Sequence, residues 1–386
     1  MVYVMNKTTL TEPNTLVSYG ESAVNLVNRF IQQAIDKQAS DIHIEPREHD
    51  WRIRFRNDGL LHEVATIPSS LGTQIITRLK IMANLNIAEQ RQPQDGHIPI
   101  QDRIQIDIRI STCPTLFGEK IVLRLLDSQA MSIDLDHLGL TDTQKELLIN
   151  TLNQAQGLIL VTGPTGSGKT TTLYSALHYL NQIEKNIVTL EDPVEIELKG
   201  INQININTKI GLDFATVLRA LLRQDPDIMM IGEIRDYETA TIAIQAAQTG
   251  HLVLSTLHTN NAIETLIRLQ YMGIPTYHII SSISLMIAQR LVRKLCHYCK
   301  QIDLSGVHYN PVGCHHCYKG YKGRIGIFEL IPMTKALAQV LLAGGDKLTV
   351  LKQIKQENRI LLADAGQEKT DYGTTSLTEI NRVLTK

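Results

Sequence analysis

The stretch 159–172, ILVTGPTGSGKTTT, constrains this chain more tightly than any other. An apolar run of β character, 158–161, breaks into a glycine-rich turn and resumes at 170–180 with helical character. Together they satisfy G-x-x-x-x-G-K-[ST] in full, the pattern of a Walker A phosphate loop. Glycine lets a backbone pass close to a polyphosphate with its N–H groups turned inward, and Gly163, Gly166 and Gly168 supply that freedom. Pro164, Thr165, Ser167 and Thr171 complete the expected nucleotide-binding set. Lys169 is expected to reach the β- and γ-phosphates of ATP, and Thr170 to offer its hydroxyl to Mg²⁺, beneath the positive end of the following helix. A glycine turn of purely structural purpose is the competing reading; the strand before it and the helix after it argue against that.

At 386 residues the chain is long enough for roughly two to three domains, each with its own core. A formal net charge of −1 gives no reason to expect nucleic acid or an anionic membrane as partner, although a local basic groove stays open. The first residues, MVYVMNKTTLTEPN, hold no apolar core of signal-peptide length, and no run of about 18 apolar residues occurs, so a cytoplasmic protein is expected. Four of the five cysteines fall in two C-x-x-C pairs, which in a reducing compartment suggests metal before disulfide. Cys113 is left over and is expected to pack as a small apolar side chain.

Taken in order, residues 1–19 read as a polar lead and 20–127 as a small α+β domain. Within it, 21–39 and 70–88 have helical spacing. Trp51, Ile53 and Phe55 alternate with Arg52, Arg54 and Arg56 before an Asp58-Gly59 hairpin turn, and GHIPIQDRIQIDIRIST reads as a second ribbon. The arginine row fits a solvated strand face better than a phosphate-binding one. Asp41 and His43 share one face if extended, with a structural His the commoner outcome. Residues 128–140 behave as a linker, a helix covers 141–154, and a second domain runs over 141–386. From residue 158 apolar strands at 158–161, 187–190, 228–231 and 252–255 alternate with amphipathic helices, the pattern of a mostly parallel sheet covered on both faces.

In such sheets ligands sit at the carboxyl ends of the strands. Polar residues follow three of these strands: Glu191 and Asp192 in VTLEDPVE, Glu233 in IMMIGEIRD, and His258 in LSTLHTNNA. Hydrolysis of a phosphoanhydride needs a bridging cation, a group that orients water, and positive charge on the leaving oxygens. Glu233 ends a Walker B-like strand, although Gly232 stands where many such motifs carry Asp. Glu191 is a second candidate for activating water, and the choice between the two stays open. Asp192 has an N-cap as its alternative role, and the His258 segment has a strand-to-helix turn capped by Thr259 or Asn260.

GPTGSGKTTTLY, VTLEDPVE, IMMIGEIRD and STLHTNNA, in that order, resemble the Walker A, Asp box, Walker B and His box of the ATPases that drive type II secretion and type IV pilus assembly. The likeness extends upstream through SDIHIEP, QPQDGHIPI and RISTCPTLFGEKIVLRLL, and so covers nearly the whole chain from about residue 20. It implies an α/β fold: a RecA-like P-loop NTPase core with a smaller α+β N-terminal domain closing over the nucleotide. It further implies a homo-hexameric Mg²⁺-dependent ATPase in which Arg109 and Arg124, by motif position, approach the phosphates; arginine is a non-titrating bidentate clamp. The implied partner is an inner-membrane platform protein, which would hold this cytoplasmic protein at the inner membrane. A membrane-anchored recruiting subunit stands as an open possibility. His97 departs from the family, which commonly has arginine after its QDG segment.

Cys296, Cys299, Cys314 and Cys317 form two C-x-x-C pairs at close to Cys₄ zinc spacing, and all-thiolate ligation argues for a structural Zn²⁺ in a module over 296–317. His297, His315 or His316 as a replacement ligand is the minor alternative. The family resemblance places this module in assembly and secretion motors more than in retraction motors. Basic flanks, QRLVRKLC and YKGYKGRIGIFEL, keep a nucleic-acid translocase or helicase on the same core as the rival function. The segment 334–386 reads as two or three short amphipathic helices.

Overall fold

The computed structural model describes residues 22–101, 105–127, 134–303 and 306–385. The chain divides into two compact units, Met1–Ala130 and Met131–Lys386. In the first, helix α1 (Ala23–Asp36) precedes β1 (Asp41–Pro46), β2 (Asp50–Asn57) and β3 (Leu60–Pro68). Helix α2 (Ser69–Met82), β4 (Gln94–Gln101), β5 (Gln105–Thr115) and β6 (Gly118–Asp127) complete it. The strands form one antiparallel sheet in the order β3-β2-β1-β6-β5-β4. Leu26 and Phe30 of α1 and Ile75 and Leu79 of α2 pack with Ile53, Phe55 and Ile108, so both helices cover one face. Helix α2 stops six residues short of the span its periodicity suggests, because Asn84 turns into a left-handed conformation at φ 55°.

The opposite face of this sheet is a ladder of charge. Glu45 accepts from Arg52 at 2.9 Å and Arg54 at 2.7 Å and pairs with Lys120 at 3.0 Å, while Asp41 pairs with Arg56 and Arg124, each at 3.3 Å. Burial works against the Glu45 charge, but hydrogen bonds from Arg54, Lys120 and Arg52 outweigh it and hold the carboxyl at about 2. The arginine row is therefore not simply solvated: it neutralises acids that the register of β1 places directly beneath it. His43, between them, is buried, and burial lowers its pKa, which suits a structural imidazole. Cys113 is exposed, contrary to the expectation from its size. Strand alternation explains this: its neighbour Thr112 takes the inward position.

In the second unit α3 (Asp142–Leu152) leads to β7 (Gly157–Thr162), α4 (Lys169–Leu180), β8 (Ile187–Glu191) and β9 (Asn202–Asn205). Then come α5 (Phe214–Leu221), β10 (Ile228–Ile231), α6 (Tyr237–Gln248), β11 (Leu252–Leu257), α7 (Ala262–Tyr271) and α8 (Thr276–Ser282). A long strand β12 (Ile283–Leu295) enters the cysteine module, which holds β13 (Gln301–Ile302) and β14 (Tyr309–Asn310), and β15 (Tyr321–Pro332) leaves it. Four helices follow, α9 (Lys335–Leu342), α10 (Lys347–Gln356), α11 (Leu362–Asp371) and α12 (Leu377–Leu384), more than the periodicity resolves.

The seven strands run β15-β12-β7-β11-β10-β8-β9, parallel except for the β12–β15 pair. Successive residues of β7 feed opposite cores, Leu158 and Leu160 on one side, Ile159 and Val161 on the other, which is why the strand is apolar throughout. Residues 128–133 of the expected linker lie outside the described residues. Its remainder is no free tether, because Leu135 and Leu138 are buried in the core of the second unit and the Leu138 carbonyl accepts from Gly326 N at 3.1 Å. The β12–β15 ribbon has no clear strand signal in the sequence, since its cysteine-flanking ends are polar and basic.

Candidate active site

A cavity of about 400 Å³ opens at the carboxyl edge of β7, β8, β10 and β11. From the first loop and α4 it is lined by Thr165, Gly166, Gly168, Lys169, Thr170 and Thr171. Glu191 and Asp192 reach it from the end of β8, Glu233 from β10 and His258 from β11. Parallel register explains the convergence: Leu190 pairs with Ile231, and Ile231 with Ser255, so the polar residues that follow all emerge at one edge. Gly163 and Ser167 are buried behind the loop, and Pro164 lines an adjoining cavity with His258. At Gly163, φ 151°, a Cβ would stand 2.6 Å from the Gln289 carbonyl oxygen, so only glycine lets the loop lie this close to β12. Lys169 Nζ donates to the Gly163 carbonyl at 2.9 Å and the Pro164 carbonyl at 3.2 Å. Burial lowers its pKa and the nearby Glu233 opposes that shift.

The two candidate glutamates, equivalent in the sequence, are not equivalent in the fold. Glu191 is 4% exposed and fully engaged. The Tyr174 hydroxyl donates to its Oε2, and Thr189 Oγ1 at 2.7 Å and Gln203 Nε2 at 3.0 Å donate to its Oε1. Burial and this carboxylate hold the Tyr174 phenol well above its ordinary pKa. Glu233 instead pairs with Arg235 and lies 3.3 Å from His258 Nε2. Neither Tyr174 nor Gln203 was singled out by sequence; Tyr174 lies within the Walker A helix, where its apolar ring reads as core, and Gln203 carries no motif.

Gly232, where an acid is usual, has a steric reason. Its N–H donates to the Leu190 carbonyl at 2.7 Å, and a Cβ would press to 3.1 Å of that oxygen. Asp192 is exposed and caps no helix, because irregular chain separates β8 from β9. The helix after His258 is capped by Asn261, whose Oδ1 accepts from Glu264 N at 2.9 Å, and not by Thr259 or Asn260. Thr259 ties the His258 loop to the end of β7 by donating its N–H to Thr162 Oγ1 at 3.0 Å. Arg109 and Arg124 belong to the first unit, directly opposite each other across β5 and β6. His97 stands opposite Arg109 and pairs with Asp107.

The family described as type II/IV secretion system protein matches residues 19–382. The chain belongs to that family. It is 51% identical over 379 residues to the type IV pilus assembly ATPase PilB of Pseudomonas aeruginosa, a match that takes in 93% of this chain and 67% of that protein. To the type II secretion system protein E of Pectobacterium carotovorum it is 45% identical, over 93% of this chain and 75% of the relative. Among solved structures, the pilus retraction motor PilT with bound ADP is 27% identical, with a TM-score of 0.65 over 92% of this chain and 96% of that one. The family member described here is thus a P-loop ATPase of mixed α/β fold, and membership implies ATP and Mg²⁺.

The cysteine module has its own geometry. All four thiol sulfurs lie within 4.8 Å of one another, with Cys296–Cys314 at 3.8 Å, Cys299–Cys317 at 3.6 Å and Cys314–Cys317 at 3.7 Å. Zn–S bonds of about 2.3 Å in a tetrahedron put sulfurs about 3.8 Å apart, so the cluster fits zinc and is too open for disulfides. Gly313 N and Cys314 N each donate to a sulfur at 3.3 Å, as suits thiolates around a cation. Burial pushes the Cys317 thiol up to about 12, a shift a dication would reverse. Among the described residues the histidines do not join the four-sulfur group; His316 stacks on Tyr298, while His315 packs tilted against His316 and His297 against Tyr298. The module is fastened to the tail: Lys300 Nζ donates to the Gly373 carbonyl at 2.7 Å, and Tyr321 and Ser376 share a 2.6 Å hydrogen bond. No described helix is long and apolar enough to cross a membrane.

Proposed function

We propose that this chain is a Mg²⁺-dependent ATPase that works as a homo-hexamer to power the assembly of a pilus or pseudopilus, with protein secretion as one output. The observation that carries this reading is the single cavity shared by Lys169, Thr170, Glu233 and His258 at the strand ends. In it the loop N–H groups and Lys169 bind the β- and γ-phosphates, and Thr170 would hold Mg²⁺, which neutralises charge on the phosphate oxygens. Glu233 orients and deprotonates the attacking water. His258, 3.3 Å from that carboxylate, shares the cavity and would contact the terminal phosphate of a bound ATP. Glu191, its oxygens already engaged by three donors, shapes the wall, and Asp192 stands at the mouth. Arg109 and Arg124 supply positive charge to the phosphates.

Assembly is favoured over retraction by the identity to the pilus assembly relative and by the four-cysteine module. The partner that fits this role is an inner-membrane platform protein, and the site of action is the cytoplasmic face of that membrane. Phosphate release by the purified chain tests the enzymatic core: MgATP is expected to be hydrolysed, with activity lost in excess EDTA and in Lys169→Ala. Hydrolysis that persists in Lys169→Ala would move the chemistry elsewhere. The proposed Zn²⁺ in Cys296, Cys299, Cys314 and Cys317 has an independent test. The purified chain is expected to carry stoichiometric zinc, and Cys299→Ser/Cys317→Ser to lose it and become open to protease within 296–317, while the parallel sheet still unfolds cooperatively.

A further inference from the structure

Two adjacent residues of β12, Gln289 and Arg290, open the basic QRLVRKLC flank but do not line the cavity, yet each is buried and each grips one loop of the site. Gln289 is 1% exposed. Its Nε2 donates to the Ser167 carbonyl at 2.7 Å, and its Oε1 accepts from Thr172 Oγ1 at 2.7 Å. One amide thus joins the phosphate loop to the first turns of α4. Arg290, on the other face of the strand, donates from Nη2 to the Asn260 carbonyl at 2.8 Å, in the loop that carries His258. Its charge is opposed by burial and supported by Glu329, whose carboxylate also accepts from Ala262 N at 2.9 Å at the start of α7.

We propose that Gln289 and Arg290 are positioning residues that set the phosphate loop and the His258 loop in register from a common strand. The physical reason is adjacency. Their Cα atoms are consecutive, so the two loops cannot shift independently without breaking a hydrogen bond to a buried side chain, the Gln289 amide or the Arg290 guanidinium. Gln289 holds the loop that binds phosphate in the ground state; Arg290 holds the loop whose histidine faces Glu233, where the reaction occurs. Their removal therefore has different kinetic signatures. This rests on the ATPase reading for its rate arm, but not for its binding arm.

The experiment uses full-length Gln289→Leu, Arg290→Met and Thr172→Val, the last removing the Gln289 contact from its other end without touching β12. Steady-state kinetics with MgATP and equilibrium binding of a fluorescent ATP analogue are read together, beside melting temperatures. Gln289→Leu and Thr172→Val are expected to weaken nucleotide binding and raise KM about tenfold while kcat stays within about threefold. In the double variant the two losses should overlap instead of multiplying. Arg290→Met is expected to lower kcat about tenfold with KM within about threefold. Unchanged binding and kinetics, or equal losses in all variants that track a lowered melting temperature, would overturn the proposal. A wild-type chain that binds nucleotide without hydrolysing it would sink the ATPase reading, while the binding arm would still decide the role of Gln289. If Gln289→Leu fails to fold, Thr172→Val carries that arm.

Discussion

Glu233→Gln is expected to bind MgATP with near wild-type affinity and to hydrolyse it about 10²–10⁴-fold more slowly, the range a positioned general base contributes. The amide keeps the shape of the carboxylate and a contact to His258, but it cannot take a proton from water. Glu191→Gln should behave differently. Its oxygens serve Tyr174, Thr189 and Gln203, and an amide in that nest loses the carboxylate charge and one acceptor, so the Tyr174 hydroxyl must turn round to accept. The expected result is a lowered melting temperature and a smaller loss of turnover, no more than about tenfold. Single-turnover phosphate release, with nucleotide affinity measured separately, distinguishes the two. An inactive, stable Glu191→Gln beside an active Glu233→Gln would reverse the assignment.

The second large effect is expected at the arginines of the first unit. Arg109→Ala and Arg124→Ala should each cut turnover by about 10³-fold or more while retaining much of the nucleotide affinity, as arginines that act on transferring phosphoryl groups do. Arg124 has a second partner in Asp41, at 3.3 Å, and Arg56 shares that carboxylate. Removing Arg124 therefore leaves Asp41 paired, and the fold of the sheet should survive. That separation makes the test clean: a circular-dichroism melt close to wild type with lost turnover supports a phosphate role. Normal turnover in both variants would remove the arginines from the mechanism.

The features legible in the sequence are local along the chain. Gly163 to Thr170 place a phosphate loop because a strand, a tight turn and a helix start must follow one another within a dozen residues. Glu191, Glu233 and His258 were legible because parallel strands deliver whatever follows them to the same edge. The cysteine spacing announced a four-sulfur cluster in the same way.

What the sequence left undecided depends on residues distant in the chain. Gln289 meets Thr172 and Ser167 across 117 and 122 positions, and no periodicity records such a pairing. Only the packed sheet shows that Glu191 is saturated with donors and Glu233 is not, or that the acids of β1 lie under the arginines of β2. Short-range order follows from backbone stereochemistry and the spacing of apolar side chains, which the sequence carries directly. The partner of a buried polar group is chosen by where separate elements come to rest, and that is settled only when the chain has closed around it.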